Sequence, residues 1–422
     1  MRFRLGLARQ RSDRGRPVAQ ARARLARRRT RLAHVAPRQP AGSTRRLTAL
    51  VGLLFALECV LYSAVTPLLP HYAAAYHLSK TGAGLLVASY SVGFILGAPL
   101  GGWAAARHVR RALLGGIALF AAAALAFAAA SSIDTLDVTR LVQGIAGGII
   151  WSAALAWLIV AVAPRERGVA IGTAFGAATT GTVLGPVVGT VAVAGAGGWI
   201  FAALGVMSVA LVLPILRAGD PSDAGGLMRG ASAARLRPAL AAGALVAVVG
   251  AALGALGVLV PLRLAAHGAS GLEVGVTFVG AALVAVLVAR LVGGAVNRRG
   301  PSVPLRACLL VCALGLGAIA APSAGVLLAA LTIVAIAAGA GGCIGPCVTL
   351  AAEATERAGG SLAAAAAVVN TSFACGEIAG ASGAPALART ITEAAPLGAL
   401  ALLTFIAATL AGGVVRAPPS AR

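Results

Sequence analysis

LTALVGLLFALECVLYSAVTPLL, residues 47–69, decides the fold class. The stretch is uncharged apart from Glu58, and it is apolar over almost its whole length. A helix needs about 20 mainly apolar residues to cross the hydrocarbon core of a bilayer, which is roughly 30 Å thick. The stretch therefore predicts a membrane-spanning helix that carries a carboxyl group inside it.

Similar apolar runs recur along the whole chain, separated by short polar gaps. Each run has the length that a bilayer crossing requires. The predicted spans are 47–69, 82–106, 112–131, 138–162, 169–193, 198–217, 238–260, 274–296, 305–321, 325–350, 361–387 and 396–415. The sequence therefore predicts an all-α integral membrane protein with twelve transmembrane helices.

The composition excludes a soluble enzyme. Hydrophobic residues make up 59% of the 422 residues and charged residues only 11%, whereas soluble domains are about 45–50% apolar and about 25% charged. The net charge of +23 would fit a nucleic-acid binder. Fifteen of the arginines lie before Leu47, however, without the interleaved aromatic residues that stack on bases. We therefore predict the lipid bilayer, and no nucleic acid, as a partner.

The remaining positive charges follow the topology of a membrane protein. If the N-terminal arm is cytoplasmic, the gaps on its side carry most of the arginines, and the opposite gaps hold only Lys80, Arg263 and Arg389. Loops rich in Lys and Arg stay in the cytoplasm. The bias predicts that both termini are cytoplasmic and that the protein is a multi-pass protein of a bacterial-type inner membrane.

The chain divides into two similar halves. TPLLPHY, residues 66–72, precedes a span that ends in GGWAAARHVRR, and VPLRLAA, residues 260–266, precedes a span that ends in GGAVNRRG. Transporters with a substrate site between halves have such parallel repeats. The predicted division is an Arg-rich, disordered arm at 1–46, a six-helix half at 47–217, a polar linker at 218–237, a second six-helix half at 238–415 and a tail at 416–422.

Three segments carry recognisable motifs. The loop after the second span reads Gly102-Trp-Ala-Ala-Ala106-Arg107-His-Val109-Arg110-Arg111, and its copy in the second half reads Gly293-Gly-Ala-Val-Asn297-Arg298-Arg299-Gly300. The fourth span contains Arg140-Leu-Val-Gln143-Gly144. The fifth span contains Gly172, Gly181, Gly185, Pro186 and Gly189 at fixed spacing. From Leu47 to Val415 the chain resembles the major facilitator superfamily, and most of all its drug:proton antiporter branch, which includes the vesicular amine carriers.

The resemblance implies roles for these residues. The loops would form a cytoplasmic latch, although Ala106 replaces the acid of the family signature, Val109 replaces its glycine and Asn297 replaces the second acid. The fourth-span motif would act in proton coupling. The alternative is that Arg140 lies near the outer end of its helix and snorkels beside Asp134 and Asp137. The glycine pattern of the fifth span is the antiport signature, with Thr190 replacing its last glycine, and it predicts a packing and hinge element.

Glu58 and Glu377 are the two carboxyl groups predicted within the hydrocarbon. Glu58 and Tyr62 follow helical spacing, so they are expected to face a central cavity together. The acid of helix one in the amine carriers maps onto Glu58, but the second acid of that branch maps onto Asn370, two turns before Glu377. A buried acid is costly and marks a functional site by default. The bland alternatives are that Glu58 pairs with Arg140 or a helix end, and that Glu377 is structural.

These features predict a secondary active transporter that exports a small cationic or amphipathic molecule by alternating access, in exchange for protons. Tyr62, Tyr90 and Trp103 would supply aromatic faces for a cation. The alternative is proton-coupled uptake of a small metabolite, in which Arg140 would contact an anion. No gap holds an enzyme-like cluster or a phosphate-binding glycine loop. The sequence thus predicts no enzyme, no cofactor and no metal site at its six cysteines, and the family resemblance implies a monomer.

Overall fold

The computed structural model describes residues 41–163, 166–218, 233–320, 326–358 and 362–414, and every regular element within these ranges is helical. The helices are α1 Ala41–Ser63, α2 Leu69–Ala75, α3 Lys80–Ala128, α4 Ile133–Ala161, α5 Arg167–Val191, α6 Trp199–Ala210, α7 Val212–Arg217, α8 Ala233–Ala266, α9 Gly271–Arg299, α10 Ser302–Ile319, α11 Val326–Arg357, α12 Leu362–Ile378, α13 Ala384–Thr390 and α14 Ala394–Val414. Most of the Arg-rich arm, most of the linker and the predicted tail lie outside the described residues.

Ten helices in the described ranges are long and apolar enough to cross a membrane. Helix α3, with 49 residues, would be about 74 Å long if it were straight, more than twice a hydrocarbon core. It reverses at His108, where φ is −148° and ψ is 87°. Gly101 and Gly116 lie on either side of this bend, and both pack closely against Ile149 of α4. Helix α3 is therefore an antiparallel pair of spans, as the predicted break between 106 and 112 requires.

The eleventh predicted span is also interrupted. Helix α12 continues through a π-helical turn at Ala379–Gly383 into α13. Serine caps start several spans: the hydroxyl oxygens of Ser79, Ser132 and Ser270 accept hydrogen bonds from backbone amides in the first turns of α3, α4 and α9. Such caps satisfy amides that have no partner within the helix. The observed helices thus follow the predicted spans closely.

The packing is that of a protein solvated by lipid. One cluster of buried apolar side chains is built almost entirely from residues 47–215 and a second from residues 239–411. Large apolar side chains are meanwhile exposed on the outside, among them Leu53, Leu287, Leu314 and Leu402. Water would penalise such a surface, whereas hydrocarbon does not. The chain therefore packs as two apolar cores within a membrane-facing envelope.

The two halves contact each other at one end of the bundle. Lys80 forms an ion pair with Glu393 there, a side chain on Gly84 would collide with the backbone of Ala381, and one on Gly275 would collide with Thr190. We call this end the closed face and define it by these six residues. The loop at Arg107–Arg111 lies about 27 helical residues beyond Lys80, roughly 40 Å away, and so marks the opposite end.

Candidate functional site

Glu58 is buried in the first half of the protein, with 4% of its surface exposed. Its Oε2 accepts a hydrogen bond from Trp151 Nε1 at 2.8 Å and lies 3.5 Å from Cys59 Sγ. Its Oε1 lies beside Gly147, where a Cβ would stand 2.8 Å from Oε1 and 2.7 Å from Tyr90 Oη. Only a glycine at 147 leaves room for both oxygens. Glu58 is therefore held by an indole N–H and a thiol, and not by an ion pair with Arg140.

An aromatic wall positions the indole that binds Glu58. The ring of Trp151 stacks on Phe55 with centroids 4.0 Å apart and planes 7° apart. Phe175 and Phe94 contact Trp151 edge-on, at centroid distances of 5.3 and 6.3 Å. A carboxylate beside aromatic faces attracts a cation through both its charge and the ring quadrupoles. Glu58 therefore lies at the edge of a packed cluster of aromatic side chains.

Arg140 lies two turns into α4 and points into the bundle, with only 1% of its surface exposed. It donates hydrogen bonds to Gln143 Oε1 at 3.0 Å and to the carbonyls of Leu61 and Tyr62 at 3.5 and 3.3 Å. Its guanidinium carbon lies 4.6 Å from the centre of the Tyr90 ring. The alternative that Arg140 snorkels to the surface is thus wrong, because the side chain is buried and its two terminal nitrogens donate to α1 and α4.

Glu377 is the buried carboxyl group of the second half, 4% exposed. It accepts a hydrogen bond from the hydroxyl of Tyr62 at one oxygen and from Ser91 Oγ at 2.5 Å at the other. Both donors belong to the first half. The rings of Tyr62 and Tyr90 lie 5.0 Å apart, so the environments of the two acids meet at this tyrosine pair.

A cavity of about 60 Å³ lies between the halves at this level. It has room for a few water molecules. Its lining consists of Tyr62, Ser63, Val65, Thr66, Val87, Arg140, Leu253, Gly257 and Glu377. Glu377 and Arg140 thus share a polar chamber, whereas Glu58 is not among its lining residues.

The predicted antiport motif packs against α1. Side chains on Gly181, Gly185 and Gly189 would collide with Ala56, Ser63 and Ala64, respectively. Gly172 has nothing within 4 Å of a Cβ position in the described part of the chain, and Pro186 lies inside α5. Three of the glycines thus allow two helices of the first half to approach closely. Their role as a hinge stays a prediction.

The two copies of the loop motif turn differently. In the second copy Gly300 ends α9 with φ +74° and ψ 172°, a conformation essentially restricted to glycine. In the first copy the bend falls on His108, in a region open to any residue, so Val109 can replace the glycine and is buried. Arg110 donates to the carbonyl of Leu216 at 3.2 Å. Gly102, Arg111, Gly293 and Arg298 lie in the helices that flank these bends.

Other predicted residues lie away from the cavity. Asn370 is half-buried on α12 but does not line it. Trp103 is 60% exposed and lies under Arg107, whose guanidinium carbon is 3.9 Å from the ring, so it supplies no inward aromatic face. Five cysteines are buried, but Cys375 is exposed. Among the described residues, no group of three or more His, Cys, Asp and Glu is placed to hold a metal ion.

Sequence reasoning missed Ser91, Gly147 and Trp151. Helical spacing from Arg140 places Gly147 and Trp151 on its face of α4, at steps of seven and eleven residues, so that signal was available. Ser91 carries no comparable signal, since its partner Glu377 lies 286 positions away in the chain.

Comparison with known proteins identifies the family. The sequence model of the Major Facilitator Superfamily matches residues 51–381, and the chain belongs to this superfamily. It is therefore a multi-pass membrane transporter by family and not an enzyme, and the fold of that superfamily has twelve helices in two halves.

Curated relatives match shorter stretches. The chain is 33% identical over 150 residues to the MFS-type transporter ppzB of Metarhizium majus, covering 32% of this chain and 31% of the relative. It is 26% identical over 137 residues to multidrug resistance protein 2 of Bacillus subtilis, covering 32% of each. It is 30% identical over 191 residues to the 3-(3-hydroxy-phenyl)propionate transporter of Escherichia coli, covering 44% of this chain and 47% of the relative.

Solved structures share the fold over most of the chain. A bacterial homologue of the human lysosomal transporter Spinster, in an inward-facing and unoccupied conformation, superposes with a TM-score of 0.74 at 14% identity, covering 90% of this chain and 98% of that one. A D-xylose-proton symporter superposes with a TM-score of 0.68 at 17% identity, covering 87% and 96%. At these identities the likeness concerns the fold alone.

Proposed function

We propose that this transporter exports a small cationic or amphipathic molecule in exchange for protons. The observation that carries the proposal is the environment of Glu58, a buried carboxyl group bound by Trp151 and walled by Phe55, Phe94 and Phe175. Ionised, it attracts an organic cation; protonated, it loses that attraction. One group can thus bind either a proton or the substrate, which is the requirement for exchange.

The proposed cycle follows from this competition. The substrate cation enters from the cytoplasm or the inner leaflet and binds beside ionised Glu58. The halves then rock to open the other side of the membrane, where a proton neutralises Glu58 and the substrate leaves. Return of the protonated carrier delivers the proton to the cytoplasm. Alternating access of this kind needs a fixed central site between halves that move as units.

The orientation in the membrane is part of the proposal. Both termini and the loops at Arg107–Arg111 and Arg298–Arg299 are placed in the cytoplasm of a bacterial-type cell, because short loops rich in arginine stay inside. The closed face then lies outside, so the described conformation is open toward the cytoplasm. The protein is proposed to work as a monomer, with 47–217 and 238–415 as its moving halves.

Proton-coupled uptake of a small anion is the second candidate. The observation that favours it is Arg140, a buried guanidinium at the cavity whose Nε has no hydrogen-bond partner among the described groups. A carboxylate substrate would supply that acceptor. The match to a 3-(3-hydroxy-phenyl)propionate transporter suggests an aromatic carboxylate as the substrate in this case.

Proton release from energised inside-out vesicles separates these candidates. Ethidium, tetraphenylphosphonium and dopamine are the cationic probes, and 3-phenylpropionate is the anionic one. Export predicts that at least one cation releases protons from vesicles of the wild type but not of Glu58→Gln. Uptake predicts instead that right-side-out vesicles in an acidic medium accumulate 3-phenylpropionate together with protons, and that Arg140→Gln abolishes this accumulation. Such accumulation, without proton release by any cation, would replace export by uptake. Equal responses of wild type and Glu58→Gln to a cation would remove Glu58 from the coupling step.

A further inference from the structure

We infer that Glu377 is a latch between the two halves, held shut by the hydroxyls of Tyr62 and Ser91 and released by a proton from the adjoining cavity. The latch rests on the proposed function, and its proton stays on Glu377 while the halves rock, so it is distinct from the proton exchanged at Glu58. It gives the second buried acid a task distinct from that of Glu58: Glu58 meets the substrate, and Glu377 controls whether the halves stay joined.

The first observation behind the latch is that both hydrogen bonds of Glu377 join one half of the protein to the other. Tyr62 lies in the last turn of α1 and Ser91 lies on α3, whereas Glu377 lies on α12. Both hydrogen bonds therefore cross between the halves. Any rocking motion that separates the halves at this level must break them. The closed face lies further out on the same helices, with Gly84 against Ala381 and Lys80 paired with Glu393.

The chemistry of the donors makes the latch sensitive to a proton. An ionised carboxylate only accepts hydrogen bonds, and here each oxygen accepts one. A hydronium ion in the cavity that transfers its proton leaves a water molecule and turns one oxygen into a hydroxyl. That oxygen becomes a donor, so the Tyr62 or Ser91 hydroxyl that donated to it must turn and accept instead. Protonation therefore replaces the charge-assisted hydrogen bonds by neutral ones, which are about half as strong.

The surroundings of Glu377 contain few other groups that titrate or carry charge. Tyr62 faces it from α1, Arg140 faces the same cavity from α4, and the ring of Tyr90 packs between these two. The charge of Glu58 also acts on it. Helix α8 contributes only Leu253 and Gly257 to the cavity. Arg140 does not neutralise Glu377 through a bond, since its NH donors go to Gln143 and to α1 carbonyls.

Hydrogen–deuterium exchange of the full-length protein in lipid nanodiscs tests the latch without any substrate. Tyr62→Phe and Ser91→Ala each remove one donor, and Glu377→Gln removes the charge and replaces one acceptor oxygen by an amide nitrogen. Ser89→Ala is the matched control for Ser91→Ala. The Ser89 hydroxyl is also buried on α3, but it donates to the Leu86 carbonyl of its own helix and not to the other half. Tyr76→Phe is the control for the tyrosine, since its ring packs on Tyr72.

We expect exchange at the closed face, in peptides spanning 64–84 and 378–393, to rise about tenfold or more in the three latch variants and to match wild type in the two controls. A lost hydrogen bond to a charged group has this effect on an opening equilibrium. After correction for intrinsic exchange, acid is expected to open the wild-type closed face and to leave Glu377→Gln unchanged.

Two results would overturn the latch. One is exchange at the wild-type rate in Tyr62→Phe and Ser91→Ala, and the other is a Glu377→Gln protein whose closed face still opens in acid as the wild type does. Because exchange is read without cargo, the outcome is separate from that of the vesicle assay. A latch response with no proton release by any probe would uphold the latch and count against proton-coupled export.

Discussion

The hydroxyl of Tyr62 donates a hydrogen bond to the carboxylate of Glu377, 315 positions further along the chain. The contact joins the first half to the second inside the helical bundle. Its neighbours, Tyr90 and Arg140, also reach the surroundings of Glu58. The tyrosine pair of Tyr62 and Tyr90 therefore lies between the surroundings of the two buried acids.

Trp151→Phe is predicted to weaken coupling at Glu58. The substitution removes the indole N–H that Glu58 accepts but retains a ring that can stack on Phe55. A hydrogen bond to a charged group contributes about 1.5–3 kcal/mol, so we expect substrate-induced proton release to fall about tenfold or more. Trp199→Phe is the control, because Trp199 is 79% exposed. Equal proton release from the two variants would show that the indole bond has no role in coupling.

Gly147→Ala is predicted to abolish transport while the protein still folds. The new methyl group would lie 2.7 Å from Tyr90 Oη and 2.8 Å from Glu58 Oε1. Both oxygens lie at the ends of flexible side chains, which can move away from the methyl group. We therefore expect the site to rearrange while the helix packing is retained. Gly115→Ala is the matched control, since no described atom lies within 4 Å of its Cβ position. Transport and the unfolding temperature are measured together; full transport by Gly147→Ala would contradict the proposed geometry at Glu58.

Within the antiport motif, Gly181→Val and Gly172→Val are predicted to differ sharply. A side chain at 181 collides with the backbone of Ala56, whereas position 172 is open. Overpacking of this kind costs about 1–3 kcal/mol or more, so Gly181→Val is expected to lower the thermal unfolding midpoint in detergent and to reduce expression. Gly172→Val is expected to remain close to wild type. Similar midpoints would mean that α5 does not pack on α1 as described.

Gly300→Ala is predicted to destabilise the second loop. Its φ of +74° with ψ of 172° is costly for any residue with a Cβ, by about 1–3 kcal/mol. Gly293→Ala lies in the same helix with no described neighbour near its Cβ position, and alanine there favours the helix. The thermal unfolding midpoint should therefore fall for Gly300→Ala and stay unchanged or rise for Gly293→Ala. The same shift in both variants would argue against a special backbone at Gly300.

The sequence predicted the spans well because their length and apolarity are set by the bilayer. The break within α3 was predictable from the charged stretch at Arg107–Arg111, even though helical geometry continues almost through it. Burial of Glu58 and Glu377 followed from their positions in apolar runs. Their partners did not, because Trp151, Ser91 and Gly147 meet the acids only through tertiary packing. The surface position of Trp103 was equally unreadable, since its helix is apolar on all sides.

The most direct test of proton-coupled export uses purified protein in proteoliposomes with an imposed pH gradient and a cation that scored in the vesicle screen. Wild type is predicted to move the cation against its own gradient, at a rate set by the pH difference. Glu58→Gln is predicted to lose this dependence. A Glu58→Gln protein that still accumulates the cation at the wild-type rate, driven by the pH gradient, would contradict the account.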